Sequence, residues 1–419
     1  MSRILSEHFS LQLNRKPVRR GAYGENGRGD ILSLAGLELA RNEIATWPGY
    51  RPTALRRLDG LARAVGVRTV LYKDEGARFG LGSFKALGGA YAVASVLQRE
   101  VEARTGKRPT TEQLAAGLLK EMTAGMTVTC ATDGNHGRSV AWGARTFGCQ
   151  CVIFVHATVS QGRRDAIAAC GAEVRVVDGT YDEAVREAAH VAAKNGWQVI
   201  SDTSYEGYTD VPRYVMQGYG VMVEEAIEQL PRAVLPTHVF VQGGVGGLAA
   251  SVCSYLWERF GAKAPLFYVA EPETARCLYL SAAEGRPTAD HGSLDTIMAG
   301  LACGEVSLLA WSILDSGADG FFSITDASAA ETMRLLAEGR YGDNPIVAGE
   351  SAVAGLAAAL LAAGDPDMRQ AVRLTEDSVV LVIGTEGATD PAVYERIVGK
   401  APEHVVANWS NTVKEEELQ

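Results

Sequence analysis

A lysine stands where a glycine-rich turn becomes a helix. Gly76, Gly80 and Gly82 lead into Ser83-Phe84-Lys85, and the small-residue run 86–94 follows at once. Residues 69–72, just upstream, read as a strand ending in Lys73-Asp74-Glu75. Taken alone, Lys85 is compatible with an ordinary first-turn lysine, although the helix dipole favours cations at the other end. With apolar neighbours on both sides, such a lysine loses solvation of its ammonium form. Its pKa falls, and the free amine becomes a nucleophile able to form a Schiff base.

Three more segments put polar or glycine residues directly after strands, where ligands collect in open α/β sheets. Thr132-Asp133-Gly134-Asn135-His136-Gly137-Arg138 follows strand 126–131 and precedes helix 139–147. It reads either as a turn capping that helix or as an anion site at its N-terminus. Gln242-Gly243-Gly244-Val245-Gly246-Gly247 follows strand 238–241 and precedes helix 248–260. Glycines let backbone amides approach a phosphate, and the helix dipole adds attraction. The segment lacks the Lys-Ser/Thr ending of an NTPase loop and the third glycine of a dinucleotide turn, and no ribose-binding acid follows at a strand end. Gly384-Thr385-Glu386-Gly387 follows strand 379–383; by itself it is a simple strand-to-helix turn.

The elements that must position these residues alternate. Strand patterns at 126–131, 151–155, 173–177 and 198–200 recur every ~20–25 residues with helical patterns between them, which argues for a parallel sheet. A second set follows at 238–241, 267–271, 321–324 and 379–383, with helices such as 328–338 and 351–363 between. The expected fold class is α/β, with two lobes, each a mostly parallel sheet flanked by helices. Residues 1–88 plus 212–419 form the larger lobe and 89–211 the smaller. Before the lysine, residues 31–46 and 55–65 read as helices, the second closed by Gly66. Thr110-x-x-Gln113 reads as a capping box opening a helix through Lys120. Residues 1–30 read as an irregular arm, and Glu415-Glu416-Glu417 as a solvated end.

Hydrophobic content of 47% and charged content of 21% over 419 residues are globular values with room for a sizeable core. The net charge of −10 argues against a nucleic-acid partner, and no basic run exceeds a pair such as Arg19-Arg20. The first residues lack the apolar core of a signal peptide. No uninterrupted apolar stretch approaches ~18 residues, so no membrane span is expected and a cytoplasmic location follows. The seven cysteines form no C-x-x-C pair and read chiefly as buried small hydrophobes. No Cys/His group has metal-ligand spacing. Cys277 and Cys303 fall in loop-like segments, where a bridge stays open.

Ser83-Phe84-Lys85 ahead of a Gly/Ala helix resembles the cofactor lysine of the fold-type II pyridoxal phosphate (PLP) enzymes. By that resemblance Lys85 would tether pyridoxal 5'-phosphate in a cleft between the lobes. Asn135 would meet its ring hydroxyl, and Gly243, Gly244, Val245, Gly246 and Gly247 its phosphate. Thr385 would meet the ring nitrogen and leave it unprotonated, which suits β-elimination over transamination or racemisation. Gly134 and His136 would line the substrate carboxylate site.

Further strings narrow the resemblance. TDGNHGR (from Thr132), DTSYEGY (from Asp202), MQGY (from Met216), TIMAGLACGE (from Thr296), GES (from Gly349) and GTEG (from Gly384) are similar to the diaminopropionate ammonia-lyases from about Gly49 to Asp390. The general dehydratases carry Ser where Asp133 stands and do not share TIMAGLACGE. The resemblance implies elimination of 2,3-diaminopropionate to pyruvate and two ammonia in a homodimer, with a serine/threonine dehydratase-type reaction as the alternative. Lys85 would remove the α-proton, or Asp133 from the opposite face for the D-isomer. Asp133 and Asp202 would meet the substrate's second amine. Tyr181, equally readable as an ordinary helix-start aromatic, would join them. The stretch after Gly349 departs from the family's ESGAVG, and the N-terminal arm and residues 104–120 differ as well, which bears on the substrate entrance.

Overall fold

The computed structural model describes residues 5, 8–16, 22–230 and 234–405. Residues 17–21 of the arm and the Glu415-Glu416-Glu417 end lie outside the described residues. Among the described residues the strands are β1 (Phe9–Leu13), β2 (Ala54–Arg57), β3 (Thr69–Asp74), β4 (Thr127–Ala131), β5 (Gln150–His156), β6 (Glu173–Val177), β7 (Gln198–Val199), β8 (His238–Gln242), β9 (Leu266–Pro272), β10 (Gly320–Ile324) and β11 (Val379–Gly384). They form a seven-stranded sheet in the order β1-β10-β9-β8-β11-β3-β2 and a four-stranded sheet in the order β6-β5-β4-β7.

The smaller sheet is wholly parallel. In the larger, β10, β9, β8, β11 and β3 run parallel, and the two edges, β1 and β2, are antiparallel to their neighbours. Strands β8, β10 and β11 are buried at every residue. That is the pattern of strands covered by helices on both faces, and it explains why they read as continuous apolar runs.

The edge strands depart from the sequence reading. Residues 55–65 are not one helix: β2 pairs with β3, and only Asp59–Val65 is helical, closed by Gly66 at φ 64°. Leu55, Leu58, Leu61 and Val65 keep a helical spacing, which hid the strand. β1 lies inside the arm read as irregular. The Thr110–Gln113 capping box forms, but its helix stops at Ala115 and Gly117 turns the chain at φ 72°. All seven cysteines are free thiols, and Cys277 opens the Cys277–Glu284 helix rather than lying in a loop. No helix among the described residues is long and apolar enough to cross a membrane.

The lysine-bearing helix, Lys85–Thr105, is held at backbone distance from two others. A Cβ at Gly218, on the Asp210–Glu228 helix, would lie 1.9 Å from Leu87 O. One at Gly89 would lie 2.0 Å from Ser139 Oγ on the Asn135–Phe147 helix. Glycine at both places lets the three helices pack without side chains between them, which fixes the position of Lys85.

Beneath the turn before Lys85 lies a sealed ion network. Lys73, Glu75, Arg78 and Glu225 are each at most 1% exposed. Lys73 Nζ is 2.8 Å from Glu225 Oε2 and donates to Thr53 O at 2.8 Å. Arg78 donates to Glu75 through Nε and Nη2 at 2.8 Å each, and to Glu225 through Nη1 and Nη2 at 2.8 and 2.7 Å. Every buried charge has a partner, as burial of charge requires. The network ties the start of the turn to the Asp210–Glu228 helix.

Candidate active site

Two backbone contacts dock the lysine turn on the end of β11. Ser83 forms a bridge with Glu386, and Phe84 N–H donates to Thr385 O at 3.0 Å. Lys85 Nζ then lies 2.8 Å from Asp202 Oδ2, with the rings of Phe84 and Tyr219 at 5.5 and 5.8 Å. Burial works against the ammonium, but the Asp202 carboxylate outweighs it, and the Lys85 pKa is raised above its ordinary value. The sequence reading expected a depressed pKa, because it saw only apolar chain neighbours; Asp202 comes from the far side of the smaller sheet. Burial likewise opposes ionisation of Asp202, yet the charges of Lys85 and His136 hold its carboxyl well below the usual range. His136 is turned inward: Nε2 is 2.8 Å from Ile200 O, Nδ1 is 3.7 Å from Asp202 Oδ2, and burial lowers its pKa.

The glycine loop after β8 is adjacent. The backbone O of Asp202 lies 3.8 Å from where a Cβ on Gly247 would be. Gly244 and Gly246 adopt φ of 64° and 97°, a left-handed backbone that favours glycine. Gly243 N–H donates to Ala270 O at 2.9 Å, so the amides that face an anion come from the residues after it. Gly247 opens the Gly247–Phe260 helix, whose dipole adds to them. The 296–305 string covers this loop: a Cβ at Gly244 would lie 3.4 Å from Gly300 O and 3.7 Å from Cys303 Sγ. Below it, Glu271 accepts from Leu278 N–H and Tyr279 N–H at 3.0 and 2.7 Å, and burial pushes its carboxyl up to about 8.

Across the cleft, Asn135 Nδ2 donates to Glu386 Oε2. Thr385 Oγ1 lies 3.1 Å from Gln242 Nε2, which also donates to Ala352 O and Ile383 O at 2.8 Å each. The Thr385 hydroxyl is thereby set as an acceptor toward Gln242, leaving its own hydrogen for a ligand. Three carboxylates meet behind Asn135. Arg163 Nη2 is 3.0 Å from Glu350 Oε1, and Arg163 Nε is 3.8 Å from Asp390 Oδ2. Burial and the neighbouring Glu386 push Glu350 up to about 7, and burial raises Glu386 also.

The structure thus brings together Lys85, Asp202, His136, the 243–247 loop, Asn135 and Thr385. Asp133 borders this group, since Cys303 feels the charges of Asp133, Asp202 and Lys85 alike, and its Oδ1 is 2.7 Å from His156 Nε2 at the end of β5. Gly134, at φ 156°, is the N-cap of the Asn135–Phe147 helix, and its N–H donates to Thr132 Oγ1 at 3.0 Å. Tyr181 is 41% exposed and meets the His156 ring edge-on at 6.3 Å. Sequence reasoning missed Tyr219, Gln242, Glu386, Arg163 and His156. Tyr219, Gln242 and Glu386 lay inside strings already singled out, and could have been flagged from those.

Residues 46–386 match the family described as "Pyridoxal-phosphate dependent enzyme". The chain is 41% identical over 404 residues to the diaminopropionate ammonia-lyase of Escherichia coli strain K12, covering 95% of this chain and 99% of that one. The Salmonella typhimurium LT2 enzyme of the same name is 38% identical over 405 residues, with 94% and 98% covered. The crystal structure of the E. coli enzyme in complex with D-serine superposes with a TM-score of 0.85 at 38% identity, covering 94% of this chain and 97% of that one. This chain belongs to the diaminopropionate ammonia-lyase family. It is a PLP-dependent lyase of fold-type II, and tomato threonine deaminase, at 21% identity and a TM-score of 0.68, shares the fold. Its cofactor is pyridoxal 5'-phosphate, and the residues fit that group. An amine lies beside a glycine cradle that side chains would fill. A hydroxyl and an amide, each fixed from behind by Gln242 or Glu386, face the same cleft.

Proposed function

We propose that this chain eliminates the β-amino group of 2,3-diaminopropionate and releases pyruvate and two ammonia, working as a cytoplasmic homodimer. The observation that carries this reading is the Lys85–Asp202 pair beside the 243–247 loop, in a cleft that also holds Asp133. A hydroxy-amino acid needs one amine partner, whereas a diamino acid brings two cations, and this cleft offers two carboxylates. The relatives support it: the E. coli enzyme has been crystallised with D-serine and with an aminoacrylate-PLP azomethine reaction intermediate.

In this reading Lys85 tethers the cofactor, the amides that follow Gly243 in the 243–247 loop hold its phosphate, Asn135 its ring hydroxyl and Thr385 its ring nitrogen. When bound, the cofactor supplies a conjugated sink for the electron pair left at the α-carbon. Gly134 and His136 flank the substrate carboxylate. Lys85 Nζ takes the α-proton of the L-isomer; Asp133 takes that of the D-isomer from the opposite face. Asp202, released from Lys85, receives the substrate's second ammonium, and Tyr181 closes the open side. Residues 89–211 form the smaller lobe, and 1–88 with 212–419 the larger; the strands of each sheet fall within these limits.

The test is pyruvate formation from D- and L-diaminopropionate, serine and threonine by the purified holoenzyme. Diaminopropionate should be turned over well ahead of the hydroxy-amino acids, and Asp133→Asn should cripple the D-isomer reaction. Preference for serine or threonine would move the assignment to a dehydratase. Light scattering on a sizing column should give twice the chain mass.

A further inference from the structure

The geometry points to His156 as a positioning residue in this reaction: we propose that it orients the Asp133 carboxylate, so that one oxygen is held and the other is presented to the α-proton of the D-isomer. The inference rests on the reading of Asp133 as the base on that face.

Strand register puts the two side chains together. β4 and β5 are parallel, with Ala131 opposite Phe154. Asp133 and His156 each lie two residues further on, and Thr132 N–H donates to Phe154 O at 3.0 Å, which carries the pairing past the strand ends. Equivalent positions on neighbouring strands stand about 4.8 Å apart, so the two side chains meet by construction.

The chemistry of the contact fixes the histidine. His156 Nε2 is 2.7 Å from Asp133 Oδ1, and Nδ1 is 2.9 Å from Thr158 Oγ1. An ionised carboxylate only accepts, so Nε2 carries the hydrogen. In the neutral ring Nδ1 is then the acceptor, and the Thr158 hydroxyl donates to it. Tyr181 covers the ring edge-on at 87°. Asp133, Thr158 and Tyr181 therefore hold an imidazole whose Nε2–H engages Oδ1 and leaves Oδ2. The Asp133 side chain is 35% exposed and the His156 side chain 17%, so the carboxylate is the more open of the two.

The other groups around the pair are few. Arg163, on the Gln161–Ala168 helix, donates from Nη1 to Asp133 O at 3.4 Å, to the backbone and not to the carboxylate. Tyr181 and Cys303 each lie within reach of the charges of both Asp133 and Asp202, and Cys303 also feels Lys85. In the step, the α C–H bond breaks, its proton bonds to Asp133 Oδ2, and the electron pair stays with the substrate. A carboxylate that rotates freely spends much of its time with neither oxygen aligned; one pinned at Oδ1 does not.

The test compares holoenzyme variants on both isomers. His156→Leu should cut kcat on the D-isomer by about 10- to 100-fold, with KM little changed, and the loss on the D-isomer should exceed that on the L-isomer by about tenfold or more. His156→Gln, whose amide can donate from nearly the same place, should recover most of the kcat. An intact visible band in each variant shows the cofactor in place. Equal losses on both isomers, or no recovery in His156→Gln, would overturn the inference while Asp133→Asn still crippled the D-isomer reaction. If Asp133→Asn itself left that reaction intact, the base assignment beneath it would fall instead.

Discussion

Lys73 and Lys85 flank one turn, and their surroundings are opposite. Lys73 is fully sealed, with Nζ donating to Thr53 O and Glu225 while Arg78 shares the same carboxylate. Burial lowers its pKa. Lys85 is 20% exposed, has one carboxylate partner, and has its pKa raised. The property that sequence reasoning attached to a reactive lysine, a depressed pKa, thus belongs to the structural one. A depressed pKa in a site sealed from solvent and ligand does no chemistry. A single, replaceable partner at the edge of a cleft allows it, because the amine can be released when another group takes its place.

The largest effect that separates the two is on activity. Lys85→Ala should abolish the visible absorption band and cut pyruvate formation by at least about 10³-fold, while the melting temperature of the apoprotein stays near wild type. A band that survived would place the tether elsewhere. On the other side of the comparison, Glu225→Ala strands the buried Lys73 and leaves Arg78 only the Glu75 carboxylate. It should cost on the order of 3–5 kcal/mol in denaturant unfolding. A loss under about 1 kcal/mol would mean the network is wetter than its burial implies.

A smaller effect sharpens the contrast. Asp202→Asn removes the charge that raises Lys85, leaving burial to lower it. The pH at which the apoprotein takes up the cofactor half-maximally should fall by on the order of 1–3 units, followed by the rise of the visible band. An unchanged midpoint would show that Asp202 does not control the amine. The smallest effect concerns Glu271, a buried acid with no cation at all. Its folded pKa of about 8 lies above its ordinary 4.5. Its contribution to stability is therefore fully present below about pH 4.5 and is lost as pH rises through about 8. Glu271→Gln should flatten that part of the melting-temperature profile; an identical slope would count against a protonated Glu271.

Much of the parallel architecture was legible, because strands covered on both faces leave unbroken apolar runs such as Val379–Gly384. The edge strands were not. β2 exposes three of its four residues, so too few buried side chains remain to show an alternation. The lysine, the glycine loop, Asn135 and Thr385 were readable from local strings. Their supports were not, since Asp202 reaches Lys85 and Glu386 reaches Asn135 across the two sheets, and His156 reaches Asp133 through strand pairing. The His156 contact could have been found: two parallel strands, each followed two residues later by a titratable side chain, predict a pair once their register is known.

β1 carries a practical corollary. Phe9–Leu13 hems the outer border of β10, whose Gly320–Ile324 backbone would otherwise present open N–H and C=O groups beside two phenylalanines. Expression of a shortened chain starting after Leu13 would leave that border bare, and such borders stick to one another. Trimming the N-terminal arm to aid crystallisation would therefore yield a precipitate.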